Sequence, residues 1–269
     1  MKKIILLLFA AAFFYSCNKD NPVNTETPVN PNYTKLFTVD SAGIKYEFYS
    51  KTGAILLVGY NEIGFKVFLN GAEQKTGYVN YIPVMYHTAG PGHGTPVSPK
   101  FNFNDADGLF TGYVSYIMLS DSSTSFWYGD YGYNDGNFIR HRNFDVVQNP
   151  NNQMRFWLPQ GSTTLYLLTV ISGKDAKIGL NDFRCILHSS DDQITYNEVD
   201  SAKMYIKPWM PSHGHGSSSN TNPVFLGNGH YQGKANYTMA GEWYLYDSIE
   251  VNNQFITPTP TFYFIFDVR

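Results

Sequence analysis

The chain has 269 residues, a formal net charge of −3, 15% charged residues and 17% aromatic residues. A balance this close to neutral offers no strong electrostatic pull toward nucleic acid or an anionic membrane surface. Abundant Tyr and Phe among many Gly, Pro, Asn and Ser residues favour an all-β protein.

The first element is "MKKIILLLFAAAFFYSC". Lys2 and Lys3 precede an apolar run from Ile4 to Phe14. That run is too short for a membrane span and suits the apolar part of a secretory signal peptide. It ends at Ser16-Cys17, which resembles a bacterial lipobox, where the cysteine is acylated and becomes the new N-terminus. Residues 1–16 read as a lipoprotein signal peptide and Cys17 as the lipidation site; the alternative is a plain signal peptide with an incidental cysteine. Residues 17–34, with "NKDNPVNTETPVNPN", are polar, carry no apolar periodicity and read as a flexible tether. Asn18, not Asp, follows the cysteine, which favours an anchor in the outer membrane. Which face of that membrane the body occupies stays open.

Strand-like runs follow in chain order: "IKYEFY", "FKVFL", "LFTGYVSYIM", "TTLYLLTVI", "FRCILH", "AKMYIKPW" and "TFYFIFDV". They are β-branched or aromatic and bounded by Gly, Asn, Asp or Ser, and several alternate apolar with polar. Cys185 is the one cysteine left after processing, so it has no disulfide partner and packs as a small hydrophobe.

Two stretches repeat. "DGLFTGYVSYIM" at 107–118 and "NGHYQGKANYTM" at 228–239 align without a gap at an offset of 121 residues. Upstream, Gly92-His93-Gly94 meets Gly214-His215-Gly216, Met85 meets Met210, and "GYNEIGFKVFL" meets "GLNDFRCILH". Downstream, Trp127 meets Trp243. This ordered set predicts a tandem duplication, with copies at 35–147 and 152–269 joined by the turn-rich seam "VVQNPNNQM". Each copy is the size of an immunoglobulin-like β-sandwich of seven or eight strands. Trp127 and Trp243 are expected in the cores, with Met118 and Met239.

The second copy resembles the YtkA-like domain family, which also recurs near FixH-type proteins. The resemblance rests on Gly179 and Asn181, then Met210, Pro211, His215 and Gly216, then Gly229 and Tyr231, and finally Met239, Gly241 and Trp243. It covers most of 165–250. The first copy departs from it: no Pro follows Met85, and "LSDSSTSFW" replaces "AGEW" after the methionine. The resemblance implies a small exported β-sandwich with an association with copper handling.

The histidines fit that implication. Copper(I) takes thioether and imidazole ligands, and copper(II) takes imidazole and oxygen. Met210, His213 and His215 offer both kinds; His213 and His215, two apart, project to one side of an extended backbone. Gly214 between them lets the loop fold round an ion. His230 is a candidate third imidazole. The first copy offers Met85, His87 and His93, with Leu109 in place of His230. Zinc would use the imidazoles and leave the methionine idle. The competing reading is an ordinary turn.

No nucleophile elbow, zincin helix or phosphate loop occurs. Asp105/Asp107 and Asp191/Asp192 read as hairpin tips, and His141 and His188 receive no role. The expected function is a non-catalytic envelope binding protein, held to a membrane by its lipid and binding copper through Met/His loops. The alternative is an interaction module for a protein or glycan. Convergence of His213, His215 and His230 on one point would favour the metal.

Overall fold

The computed structural model describes residues 26–151, 153–172, 175–258 and 261–269. The segment read as a signal peptide, Cys17 and the start of the segment read as a tether lie outside the described residues. Among the described residues all regular structure is β, in two units.

The first unit contains β1 (Thr34–Ser41), β2 (Ile44–Ser50), β3 (Leu56–Leu57), β4 (Gly59–Leu69), β5 (Ala72–Gln74) and β6 (Tyr78–His87). It continues with β7 (Phe101–Asn104), β8 (Leu109–Tyr116), β9 (Ser125–Tyr133), β10 (Ile139–Phe144) and β11 (Val146–Val147). One nine-stranded sheet runs β1-β2-β4-β8-β7-β6-β9-β10, with β5 on β4. The short β7 pairs with both β8 and β6. It carries the sheet round a corner, so the β2-β4-β8 layer faces the β6-β9 layer. Phe48 and Phe65 on one layer lie 5.7 and 5.9 Å from Tyr81 and Tyr131 on the other. Edge-to-face aromatic pairs of this kind add about 0.5–1.5 kcal/mol each beyond their burial.

The second unit contains β12 (Met154–Trp157), β13 (Leu165–Val170), β14 (Gly179–Ser190), β15 (Asn197–Glu198), β16 (Lys203–Met210) and β17 (His215–Gly216). Then come β18 (Thr221–Gly227), β19 (His230–Tyr237), β20 (Gly241–Val251), β21 (Gln254–Phe255) and β22 (Tyr263–Val268). Its two sheets, β12-β13-β14-β19-β18 and β17-β16-β20-β21, form a sandwich, with β15 on β14 and β22 on β20. Period-two alternation sets its core: Trp243, Leu245, Asp247, Ile249 and Val251 of β20 are buried, while the residues between them are not.

The units share one register. Gly59 pairs with Tyr116 and Phe65 with Phe110, as Gly179 pairs with Tyr237 and Cys185 with Tyr231. Tyr81 pairs with Tyr131 as Ile206 pairs with Asp247. Asn61 closes the turn before its strand with three bonds: it accepts from Leu57 N and donates to the carbonyls of Leu57 and Gly59. Asn181 repeats all three with Lys177 and Gly179. The glycine two residues before each asparagine has φ near +100° (98° and 104°), a conformation that excludes most side chains. Trp127 and Trp243, both fully buried, donate Nε1–H to the carbonyls of Met118 and Met239.

Two expectations need correction. Residues 26–33, assigned by composition to a flexible tether, pack on the first unit. Thr27 N donates to Glu73, Asn30 bonds Asp107 through backbone and side chain, and Glu26 pairs with the buried Lys66 at 3.3 Å. Val29 and Tyr33 close over Tyr49 and Leu109. Two apolar residues four apart among prolines give no periodicity, yet with these polar bonds they seat the segment on the unit. Met118, expected in the core, is 41% exposed; the backbone carbonyl, not the thioether, is what Trp127 uses.

Candidate metal loops and the junction between the units

Met85 and His93 form an isolated antiparallel bridge, and Met210 and His215 pair at the same place in the second unit. Directly opposed residues share a face, so in each unit the methionine and histidine side chains leave the backbone on the same side. Met85 also opposes Trp127. The histidine rings stand edge-on to the tryptophans, His93 at 5.6 Å from Trp127 and His215 at 5.7 Å from Trp243. Both histidines bond through Nδ1 to the carbonyl of the next residue, Gly94 O at 2.9 Å and Gly216 O at 3.0 Å. A carbonyl can only accept, so Nδ1 carries the proton and Nε2 keeps its lone pair. That is the tautomer and support a metal-binding imidazole uses.

The second histidine of each pair is close. His87 lies 5.2 Å from His93, and His213 lies 6.0 Å from His215, between ring centroids. Two imidazoles sharing an ion at about 2.0 Å from each nitrogen have centroids about 5–6.5 Å apart. The pairs differ in depth. Nε2 of His93 is buried without a partner, and burial holds its pKa below the ordinary histidine value, a shift the Gly94 carbonyl opposes. His213 is exposed. Met85 is fully buried, and Met210 is 3% exposed with its methyl against Gly241, so both thioethers also serve the cores.

His230 does not join the loop. It opens β19, while Tyr237, which touches Trp243 at 5.4 Å, ends it. Seven residues of strand separate those ends by about 23 Å. His230 instead bonds Asn228 O through Nδ1 and lies against Tyr60 and Tyr113 of the first unit. Three imidazoles therefore do not converge; two do, in each unit. Among the described residues no group of three or more His, Cys, Asp or Glu side chains is placed to hold a metal.

His188, given no role from sequence, is fully buried at the junction of the units. Along β14, Phe183, Cys185 and Leu187 face their own core, so Ile186 and His188 face the other way, toward the first unit. There the Tyr113 hydroxyl donates to Glu198 Oε1 at 2.7 Å and lies 2.9 Å from His188 Nε2. Tyr60 stacks on Tyr113. Gly94 N donates to Gln193 O at 2.9 Å, joining the first histidine loop to the second unit. A crevice of about 570 Å³ opens beside this cluster, lined by Tyr33, Lys51, Glu62, Asn104 and Asn228 among others. No sequence signal marked His188, because its strand end looks like any buried run.

The YtkA-like family model matches residues 170–246. No curated protein matches the chain in sequence. Among solved structures, the Escherichia coli adhesin FdeC is 13% identical with a TM-score of 0.27, over 80% of this chain and 61% of that one. The chain thus spans about three-fifths of that adhesin chain. A marsupial T cell receptor is 10% identical with a TM-score of 0.24, over 84% of this chain and 73% of that one.

Proposed function

We propose, from the match of residues 170–246 to the YtkA-like family model, that the chain is a non-catalytic binding protein of the cell envelope whose ligand is copper. The observation that carries this reading is the duplicated histidine pair. In both units a methionine opposes a histidine whose Nδ1 is held by the next carbonyl, with a second imidazole 5.2 or 6.0 Å away. A copied turn is free to drift, and the two loops have drifted in length and sequence, yet both keep the same tautomer, tryptophan neighbour and partner ring. The shared register supports a tandem duplication as its origin. Two imidazoles and a thioether suit copper(I) better than zinc, which leaves the thioether unused. Cys17 would carry the lipid, and an outer-membrane anchor would hold the body at the periplasmic or outer face.

A second reading, an interaction module, draws on one feature. Val224, Phe225 and Leu226 are 61%, 43% and 60% exposed in succession on β18, an edge strand. Open strand edges with apolar side chains accept an extended segment of another protein.

The test is copper(I) affinity of the full chain by chelator competition. It is run beside His213→Ala/His215→Ala and His87→Ala/His93→Ala variants. The reading expects one ion per histidine pair, each lost with its own pair. Affinity equal to that of a free histidine peptide, or unchanged in both variants, would return the loops to being turns.

A further inference from the structure

The core of the second unit holds polar groups that its fold does not need. Cys185 of β14, Met204 of β16 and Asp247 of β20 are 0%, 2% and 1% exposed. The Cys185 thiol lies 3.7 Å from the Met204 sulfur. Asp247 pairs with Ile206, and Ile249 with Met204, so the carboxyl is the diagonal neighbour of the thioether on the inward face. Both carboxyl oxygens of Asp247 lack a hydrogen-bond partner, which is costly for a buried polar group. The first unit fills the same three register positions with Phe65, Val79 and Tyr131, all buried. A sandwich of this register therefore closes without a thiol, a thioether or a carboxyl at these places.

We infer that Cys185, Met204 and Asp247 form a buried site for one soft monovalent ion of the copper(I) type, separate from the histidine loops. Two sulfurs on one tetrahedral ion, with bonds of about 2.3 Å, stand about 3.7 Å apart. The sulfurs of Cys185 and Met204 already have that span. Thiolate and thioether are the ligands that select copper(I). Binding exchanges the thiol proton for the ion: the S–H bond breaks, the sulfur–metal bond forms, and the proton leaves to solvent. The thiolate and a monovalent ion cancel in charge. Asp247, buried with both carboxyl oxygens free of partners, then supplies a carboxyl oxygen as third donor without a further buried charge when it is protonated. A divalent ion would require a second buried negative charge.

The site is independent of the loops in space. Cys185 and Asp247 lie in strand interiors and Met204 at the start of β16, whereas His213 and His215 lie beyond Met210, at the other end of that strand. Each can therefore fail without the other.

Silver(I), a soft monovalent ion without redox chemistry, is the probe. The full chain is used with Cys17→Ser, so that Cys185 is its one thiol. Silver is titrated into the folded protein, and also supplied during refolding from urea. The readout is the ultraviolet thiolate-to-metal absorption band, with near-ultraviolet circular dichroism to report folding. The expected result is a band saturating at one equivalent, which survives His213→Ala/His215→Ala and His87→Ala/His93→Ala. Cys185→Ser abolishes it. Met204→Leu weakens binding by about tenfold or more, and Asp247→Asn, which keeps a neutral carbonyl oxygen, does so by much less than Asp247→Leu. Folded protein with no thiolate band by either route, or a band unchanged in Cys185→Ser, would overturn the assignment.

Discussion

The Tyr113 hydroxyl lies 2.9 Å from Nε2 of His188, and it spends its only proton on Glu198 Oε1 at 2.7 Å. Toward the histidine it can therefore only accept, so His188 carries its proton on Nε2 and leaves Nδ1 bare. That Nδ1 is buried without a partner. A second proton would have to be stored there, in a site already desolvated.

This fixes a pH dependence. Burial, with the nearby His230 adding to it, lowers the His188 pKa from 6.5 to about 3. Between those values the unfolded chain binds a proton that the folded chain does not, so stability falls as pH drops below 6.5 and levels off near 3. The loss from pH 6.5 to 4.5 should be about 2–3 kcal/mol from this residue alone. Urea unfolding across that range, compared with His188→Gln, isolates it. The variant should have a flatter slope over the same window. Equal slopes would mean that His188 is hydrated in the folded protein.

Tyr113→Phe removes the group that satisfies both His188 and Glu198. Each is left with a buried or half-buried polar atom facing a ring edge. The expected cost is about 1–3 kcal/mol in urea unfolding, and His188→Gln/Tyr113→Phe should cost less than the two single changes together, since they share the bond. Strict additivity would show that the two side chains do not touch in solution.

Much of the fold was legible because its signals are local. The repeat matched "GYNEIGFKVFL" with "GLNDFRCILH", and the structure shows what Gly59 with Asn61 and Gly179 with Asn181 do there: three bonds close the turn before each strand. The paired Met and His positions were visible through the repeat, as were the buried tryptophans. What could not be read was pairing over distance. His230 looked close to His215 in sequence, but β19 carries it to the far end of the sandwich. His188 gained its role only when another unit's tyrosine covered it. Asp247 drew no reading from sequence; the two-residue period of β20 puts it on the buried face with Leu245 and Ile249, but one carboxyl among apolar residues marks no partner by itself.

The asparagine turns give a comparison internal to the molecule. Asn61 is fully buried, whereas Asn181 is only partly so, though both make the same three bonds. Asn61→Ala strands buried groups on Leu57 and Gly59 and should cost about 1–3 kcal/mol. Asn181→Ala lets water replace part of what is lost and should cost about 1 kcal/mol or less. Chemical denaturation of the two variants checks the order; a larger loss for Asn181→Ala would contradict the burial argument.

Gly94 and Gly216 follow equivalent histidines but face different surroundings. A Cβ on Gly94 would run into the Ile194 carbonyl of the second unit, beside the Gly94 N to Gln193 O bond. A Cβ on Gly216 would come within 3.0 Å of Pro208 O, in its own unit. A backbone carbonyl held in a junction cannot step aside as a side chain can, so Gly94→Ala must push the units apart or displace the His93 loop. The expected cost is about 1–3 kcal/mol for Gly94→Ala and less for Gly216→Ala. The first substitution should also speed hydrogen exchange at the Gly94 amide, because its acceptor lies across the junction. If both substitutions cost the same and that amide stays protected, the contact between the loop and residues 193–194 does not hold the units together, and the junction rests on the Tyr113 cluster alone.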